Sequence, residues 1–260
     1  MYTPQFAALY DSLMEDFDYP AWADYYLELI RESAGGKPKH LCECGCGTGN
    51  MTLEWAAKGI RVTGVDLSAP MLQVASDKAR KRGLSLTFVC QDMTRLALHR
   101  PVDAIACPCD GVNYLLDDEA VASFFARAHQ SLRPGGALVF DVSTPHKLFG
   151  MEGAPYYEDR EDLTYLWTAR RRGGLVDMAL TFFLRRGGGL YRRFDEMQTQ
   201  RAHRAEDLVK ALEKAGFTGI ALYGDRRLDP PEDQELRWHF AARKKGASQR
   251  PTVGKETIGV

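Results

Sequence analysis

Apolar residues recur at three-to-four spacing through the first 34 positions, at Phe6, Leu9, Tyr10, Leu13 and Met14 and again at Trp22, Tyr25, Tyr26, Leu29 and Ile30. This spacing predicts two amphipathic helices. Gly35-Gly36-Lys37-Pro38 interrupts the pattern. Short apolar runs then alternate with helical stretches. His40-Leu41-Cys42, Val62–Asp66, Phe88–Asp92, Val102–Cys107 and Ala137–Val142 read as strands. Met51–Lys58, a segment opened by Ser68 as N-cap with Pro70 in the first turn, and Asp117–Leu132 read as helices, the last ended by Arg133-Pro134-Gly135-Gly136. That alternation predicts an α/β unit with a mostly parallel sheet. From Leu163 to Arg204 the period becomes two, with Gly173-Gly174 and Gly187-Gly188-Gly189 dividing three strands of an antiparallel meander. A helix at Ala205–Ala215 and strands near Ile220–Tyr223 and Trp238–Arg243 follow. The expected organisation is a helical cap (1–34), an α/β domain (35–150 and 205–245), a β insert after the fifth strand (151–204) and a disordered tail (246–260).

Composition narrows the class without naming it. The chain has 260 residues, 45% hydrophobic and 27% charged, with a net charge of -1. This suits one domain with an insertion, gives no global pull toward nucleic acid, and makes cytoplasm the default location. No run is long enough to span a bilayer, and no signal segment opens the chain. The six cysteines, Cys42, Cys44, Cys46, Cys90, Cys107 and Cys109, cluster in the first half on predicted strands or their tips. They suit reduced thiols better than a disulfide framework. Their C-x-C spacing differs from the C-x₂₋₄-C pairs of structural zinc, so no metal is expected.

The chemistry concentrates in Leu41-Cys42-Glu43-Cys44-Gly45-Cys46-Gly47-Thr48-Gly49-Asn50. Glycines at alternate positions allow a sharp turn and close backbone approach of a ligand, delivered to a helix N-terminus. Position 50 is Asn, so this is not the dinucleotide fingerprint. It is an acidic-x-G-x-G-x-G run, with Glu43 where a cationic amino group can be held. That favours an aminoacyl cofactor over a pyrophosphate. Asp66, at the tip of the second strand, can accept both hydroxyls of a ribose. Asp92 ends the third strand.

These stations in order resemble the class I S-adenosylmethionine-dependent methyltransferases. The resemblance implies a Rossmann-like sheet, mostly parallel with an antiparallel final strand. It implies that Gly45 and Gly47 line the methionine portion, Asp66 binds the ribose, and Asp92 with the Met93 backbone meets the adenine. Glu43, Cys46, Leu67, Gln91 and Cys109 complete the candidate cofactor set. Tyr2-x-x-x-Phe6-Ala7-x-x-Tyr10-Asp11-x-Leu13-Met14, then Tyr19-x-x-Trp22, is similar to a group of small bacterial methyltransferases whose first helices cap the cofactor cleft. It implies Tyr10 and Trp22 as cofactor or substrate contacts. After the fourth strand that group carries an aromatic-Asp-Ser-Leu-Asn-Tyr-Leu run. Here Cys109 replaces the aromatic and Gly111 the Ser, which enlarges the pocket.

The implied activity is methyl transfer by in-line displacement to a small-molecule acceptor through N or O. Tyr10, Asp110 and His146 are candidate general bases, needed only if the acceptor arrives protonated. Asp110 and Asn113 are candidates to orient the acceptor, or Asn113 caps the turn. Two alternatives stay open. Arg170 to Arg172, Arg185, Arg186, Arg192 and Arg193 on the insert suit solvated charge or the phosphates of an RNA acceptor; a non-catalytic cofactor-binding module is the other. Pro108-Cys109 matches the nucleophile of C5-pyrimidine methyltransferases in two residues only, and the adenine-amino signature is absent. Cys44 and Cys46 at the first strand's end, and Cys107 and Cys109 at the fourth's, are expected to lie close together at the cofactor and to be protected by it. Acceptor identity and oligomeric state are not legible.

Overall fold

The computed structural model describes residues 2–246; the tail expected over 246–260 lies, but for Gly246, outside the described residues. Two helices open the chain, α1 (Pro4–Leu13) and α2 (Tyr19–Ala34). Thr3 caps the first and Asp18 the second through side-chain oxygens that accept from backbone N–H groups. The α/β unit follows: β1 (His40–Cys44), α3 (Asn50–Ala57), β2 (Arg61–Asp66), α4 (Ala69–Lys81), β3 (Thr87–Cys90), β4 (Val102–Cys107), α5 (Asp118–Ser131), β5 (Leu132–Ser143) and α6 (Pro145–Gly150). After an inserted sheet the chain returns through α7 (Ala205–Lys214), β10 (Phe217–Tyr223) and β11 (Arg237–Lys244).

The main sheet has the order β10-β11-β5-β4-β1-β2-β3. All its pairings are parallel except those of β11, which runs antiparallel to both β10 and β5. The connection reverses between β4 and β1, so a crevice opens outside their carboxyl ends, where ligands bind in such sheets. Buried Leu, Ile, Val, Phe and Trp side chains fill both faces, with α5 and α7 on one side and α2 and α3 on the other. No helix among the described residues is long and apolar enough to cross a membrane.

The insert is a second sheet of four antiparallel strands, β6 (Tyr156–Asp159), β7 (Leu163–Arg172), β8 (Leu175–Arg185) and β9 (Tyr191–Arg201). The period-two reading finds three of these. It misses β6, which is too short to alternate visibly. The inner face of the insert packs on α1: the Phe6 and Phe182 rings lie 5.8 Å apart, in one apolar cluster with Met71 of α4. The first helix is thus held between the insert and the main sheet.

Two further expectations are corrected. Arg133-Pro134-Gly135-Gly136 is not a helix stop before a strand at Ala137; it lies inside β5, which starts at Leu132. Val102 pairs with Leu132 and Ala104 with Ala137, so extra residues bulge out of the strand there. Ser68 precedes α4, but its side chain makes no capping bond, and its buried hydroxyl has no partner.

Candidate active site

The glycine run leaves β1 and enters α3 with Gly45, Gly47 and Gly49 all at positive φ (71°, 53° and 78°). A Cβ on Gly49 would meet Ala75 at 2.9 Å, so that glycine lets α3 and α4 close together. A Cβ on Gly45 or Gly47 would meet nothing within 4 Å. Those two line an open cradle rather than a packed core.

Asp66 closes the cradle from the tip of β2. Its Oδ2 accepts from the Gly47 N–H at 2.8 Å and its Oδ1 from the Ser68 N–H at 2.8 Å. Burial pushes its carboxyl above the usual range, and these backbone donors work against that push. Leu67 beside it is 51% exposed, an apolar side chain left uncovered at the strand tip. Glu43 lies beneath the loop, 2% exposed, and accepts from the Thr52 hydroxyl. Burial lifts its pKa to about 8. On the far side Asp92 accepts from the Thr94 N–H and hydroxyl, each at 2.8 Å, fixing the turn that carries Met93. Gln91 turns aside; its Oε1 accepts from the Ala97 N–H at 3.1 Å.

Past β4 the backbone is strained. Cys109 and Asp110 both sit at positive φ (58° and 65°), at a cost of about 1–3 kcal/mol each. The carboxylate of Asp141, fully buried on β5, holds this turn by accepting from the N–H groups of Cys109 (2.7 Å) and Asp110 (3.1 Å). It also accepts from the Tyr26 hydroxyl and from Arg237, which bridges to Asp110. Burial opposes the Asp141 charge, but the Arg237 guanidinium together with the bonds from Tyr26 and the Asp110 N–H outweighs it and holds the carboxyl below its usual range. The sequence carried a signal for this: a charged residue inside the apolar run Leu138–Val142.

Several expected roles change. Tyr10 sits in the cleft, but burial first, and then Cys109, push its phenol well above the usual range, so it stays neutral and is no base near neutral pH. Asp110 is paired with Arg237. His146 is exposed on α6; its neighbour Lys147 turns inward and donates to Ser143 Oγ at 2.9 Å. Trp22 is core, 6% exposed, with its ring 5.2 Å from the Arg237 guanidinium. Asn113 neither faces an acceptor nor caps a helix. Fully buried, it donates to the carbonyls of Ser143 (3.0 Å) and Arg201 (2.9 Å) and accepts from the Ser143 N–H (2.9 Å), which ties β5 to the insert.

The thiols are also corrected. β1 ends at Cys44 and β4 at Cys107, so Cys46 and Cys109 lie in the turns beyond. Cys42, Cys44, Cys46 and Cys107 are buried. A hydrogen bond with Cys42, then burial, pushes the Cys44 thiol up; burial does the same to Cys46, Cys107 and Cys109. Protonated thiols are poor nucleophiles, so none of these four has the character of a reactive thiolate.

One ion-pair cluster was not anticipated. Asp11 of α1 accepts from Lys78 Nζ (2.7 Å), the Thr48 hydroxyl (2.6 Å) and the Asn50 side-chain amide (3.0 Å), and Lys78 also donates to Asn50. Burial would raise the Asp11 carboxyl, but the bonds from Lys78 and Thr48 hold it below its usual range. The first helix is thereby latched onto the glycine loop.

Residues 41–136 match the family model described as a methyltransferase domain. A protein named as a methyltransferase in Geobacillus sp. (strain WCH70) is 32% identical over 242 residues, spanning 92% of this chain and 98% of that one. The chain belongs to the methyltransferase family. The Bacillus subtilis (strain 168) methyltransferase YqeM is 30% identical over 243 residues, spanning 92% and 96% of the two chains. The crystal structure of an S-adenosylmethionine-dependent methyltransferase from Clostridium acetobutylicum ATCC 824 superposes with a TM-score of 0.84 at 31% identity, covering 93% of this chain and 98% of that one. This methyltransferase has the Rossmann-like fold, and S-adenosyl-L-methionine is its methyl donor. The open cradle at Gly45 and Gly47, with a buried carboxyl beneath it and another beside it, fits that cofactor.

Proposed function

We propose that this methyltransferase acts on a small-molecule acceptor through a nitrogen or oxygen nucleophile. The observation that carries the reading is the roof over the strand tips. α1 and β9 meet there, where the Thr3 N–H donates to Glu196 Oε1 at 3.0 Å and the Tyr2 and Tyr114 hydroxyls lie 2.9 Å apart. A crevice covered by the cap (1–34) and the insert (151–204) suits a small acceptor. In the cofactor half, Glu43 faces the amino group and Gly45, Cys46 and Gly47 line the methionine portion. Asp66 takes the ribose hydroxyls, Leu67 covers the ring system, and Asp92 with Met93 meets the adenine. Tyr10 and Cys109 face the reacting methyl.

Bound S-adenosylmethionine supplies a methyl on a sulfonium, already activated for displacement. The chain then has to align the acceptor lone pair behind that carbon and exclude water. Tyr10 is neutral, Asp110 is paired and His146 points to solvent. These placements favour alignment over general-base catalysis. The arginines of the insert support an RNA acceptor weakly: Arg172 pairs with Asp177, Arg193 with Asp195 at 3.0 Å, and Arg171 stacks 3.6 Å over Phe149. The test is methyl transfer from labelled cofactor to a metabolite panel, with transcribed tRNA as a parallel arm. Transfer to tRNA alone would refute the reading.

A further inference from the structure

The inner face of the insert is apolar on β7 and β8, where Leu163, Tyr165, Val176, Met178, Leu180 and Phe182 are all buried. On β9 it is not. Glu196, Gln198 and Gln200 alternate along the same face, opposite Leu180, Met178 and Val176 of β8. Glu196 is 4% and Gln200 6% exposed. Burying a carboxamide and a carboxylate in one stripe, with a half-buried carboxamide between them, is costly unless they have partners. Gln198 and Glu196 find partners in the crevice. Gln198 Oε1 accepts from the Tyr114 hydroxyl at 2.8 Å, Tyr2 meets the same hydroxyl at 2.9 Å, and Glu196 accepts from Thr3. Tyr114 ends the short turn Gly111–Tyr114 just past the β4 tip. Because Tyr114 stands beyond the carboxyl end of β4 and donates to Gln198, the stripe faces the end of the sheet where ligands bind.

A packing seam between cap and insert would be served by apolar residues, as on β7 and β8. Each carboxamide carries two donors and an acceptor oxygen, and the bond from Tyr114 to Gln198 uses only part of that capacity. We propose that Gln198, Gln200 and Tyr114 determine acceptor specificity, and that the acceptor is an aliphatic amine or alcohol bearing several hydroxyl or amino groups, not a planar phenol. The carboxylates of Glu196, Asp110 and Asp66 around this wall, against an Arg237 already held by Asp110 and Asp141, favour an acceptor with no negative charge. The assignment rests on the small-molecule reading above. A site built to bond substrate hydroxyls discriminates steeply against analogues that lack them.

The experiment measures methyl transfer from labelled cofactor to D-glucosamine, D-galactosamine and serinol, to catechol and caffeic acid, and to transcribed tRNA, with the parent, Gln198→Leu and Tyr114→Phe. Transfer to an amino polyol is expected. Gln198→Leu should raise its KM about tenfold or more, and Tyr114→Phe less, while both variants bind S-adenosylhomocysteine like the parent. Unchanged S-adenosylhomocysteine binding separates a lost acceptor contact from a misfolded variant. Transfer to catechol with KM unmoved in Gln198→Leu would overturn the assignment and leave the small-molecule reading standing. Transfer to tRNA alone would remove both. No transfer to any amino polyol would also overturn the assignment.

Discussion

Glu43 offers a test that reads the fold and the cofactor site together. Its carboxyl is 2% exposed, accepts from the Thr52 hydroxyl, and is lifted by burial to about 8. In the unfolded chain it titrates near its ordinary value of about 4.3. A carboxyl whose folded value is raised contributes stability that is full below the unfolded value and is lost as pH climbs through the folded one. The window therefore runs from about pH 4.3 to about 8. At 1.36 kcal/mol per unit, the ceiling on the loss is about 5 kcal/mol, and relaxation around the ionised group brings it to roughly 2–5 kcal/mol. Glu43→Gln keeps the shape and an acceptor for Thr52 but cannot ionise. At pH 5 the variant should unfold within about 1–2 kcal/mol of the parent. Across the window it should gain on the parent by that 2–5 kcal/mol, or about 4–15 °C in Tm. Binding reports the same group with the opposite preference. An ammonium is held by the ionised carboxylate, so the parent's affinity for S-adenosylhomocysteine should rise from pH 6 to about 8 with proton release. The variant should bind more weakly and show no such rise. Scanning calorimetry and titration calorimetry across the window make the measurement. Parallel Tm curves for parent and variant would mean that Glu43 titrates normally and that the burial argument is wrong.

Other perturbations have separate signatures. Asp66→Ala removes the acceptor of the Gly47 and Ser68 N–H groups and the carboxylate proposed for the ribose, so titration calorimetry should show cofactor binding weakened by about 2 kcal/mol or more. Gly47→Val forces a branched side chain into φ 53° and into the open cradle; calorimetry should detect no cofactor binding. Asp11→Ala should cost about 1–2 kcal/mol of stability, its exposed ion pair discounted, and limited proteolysis should cut within residues 1–17 sooner than in the parent. Maleimide labelling followed by mass spectrometry should modify the exposed Cys90 first and leave Cys44, Cys46 and Cys107 largely untouched at neutral pH, with or without S-adenosylhomocysteine. Rapid labelling of Cys46 would show that the glycine loop opens in solution.

What the sequence by itself determined is local. The acidic-x-G-x-G-x-G run, Asp66 at the tip of an apolar strand and the alternation of helix and strand are chemistry written within a few residues, where backbone conformation and side-chain period suffice. From these the fold class followed, and the methyl donor followed through their resemblance to class I S-adenosylmethionine-dependent methyltransferases. The meander was legible for the same reason, because strand alternation between glycine pairs is a local pattern. What only the tertiary structure decided are pairings between groups far apart in the chain. Asp141 with Arg237 and Tyr26, Asp11 with Lys78, and Gln198 with Tyr114 meet through sheet order and the packing of the insert on the cap. Tyr10, Asp110 and the thiols look reactive as residue types. Arg237 engages Asp110, and burial sets the protonation of Tyr10 and the thiols; both depend on which elements lie against them, a property that no single stretch of sequence contains.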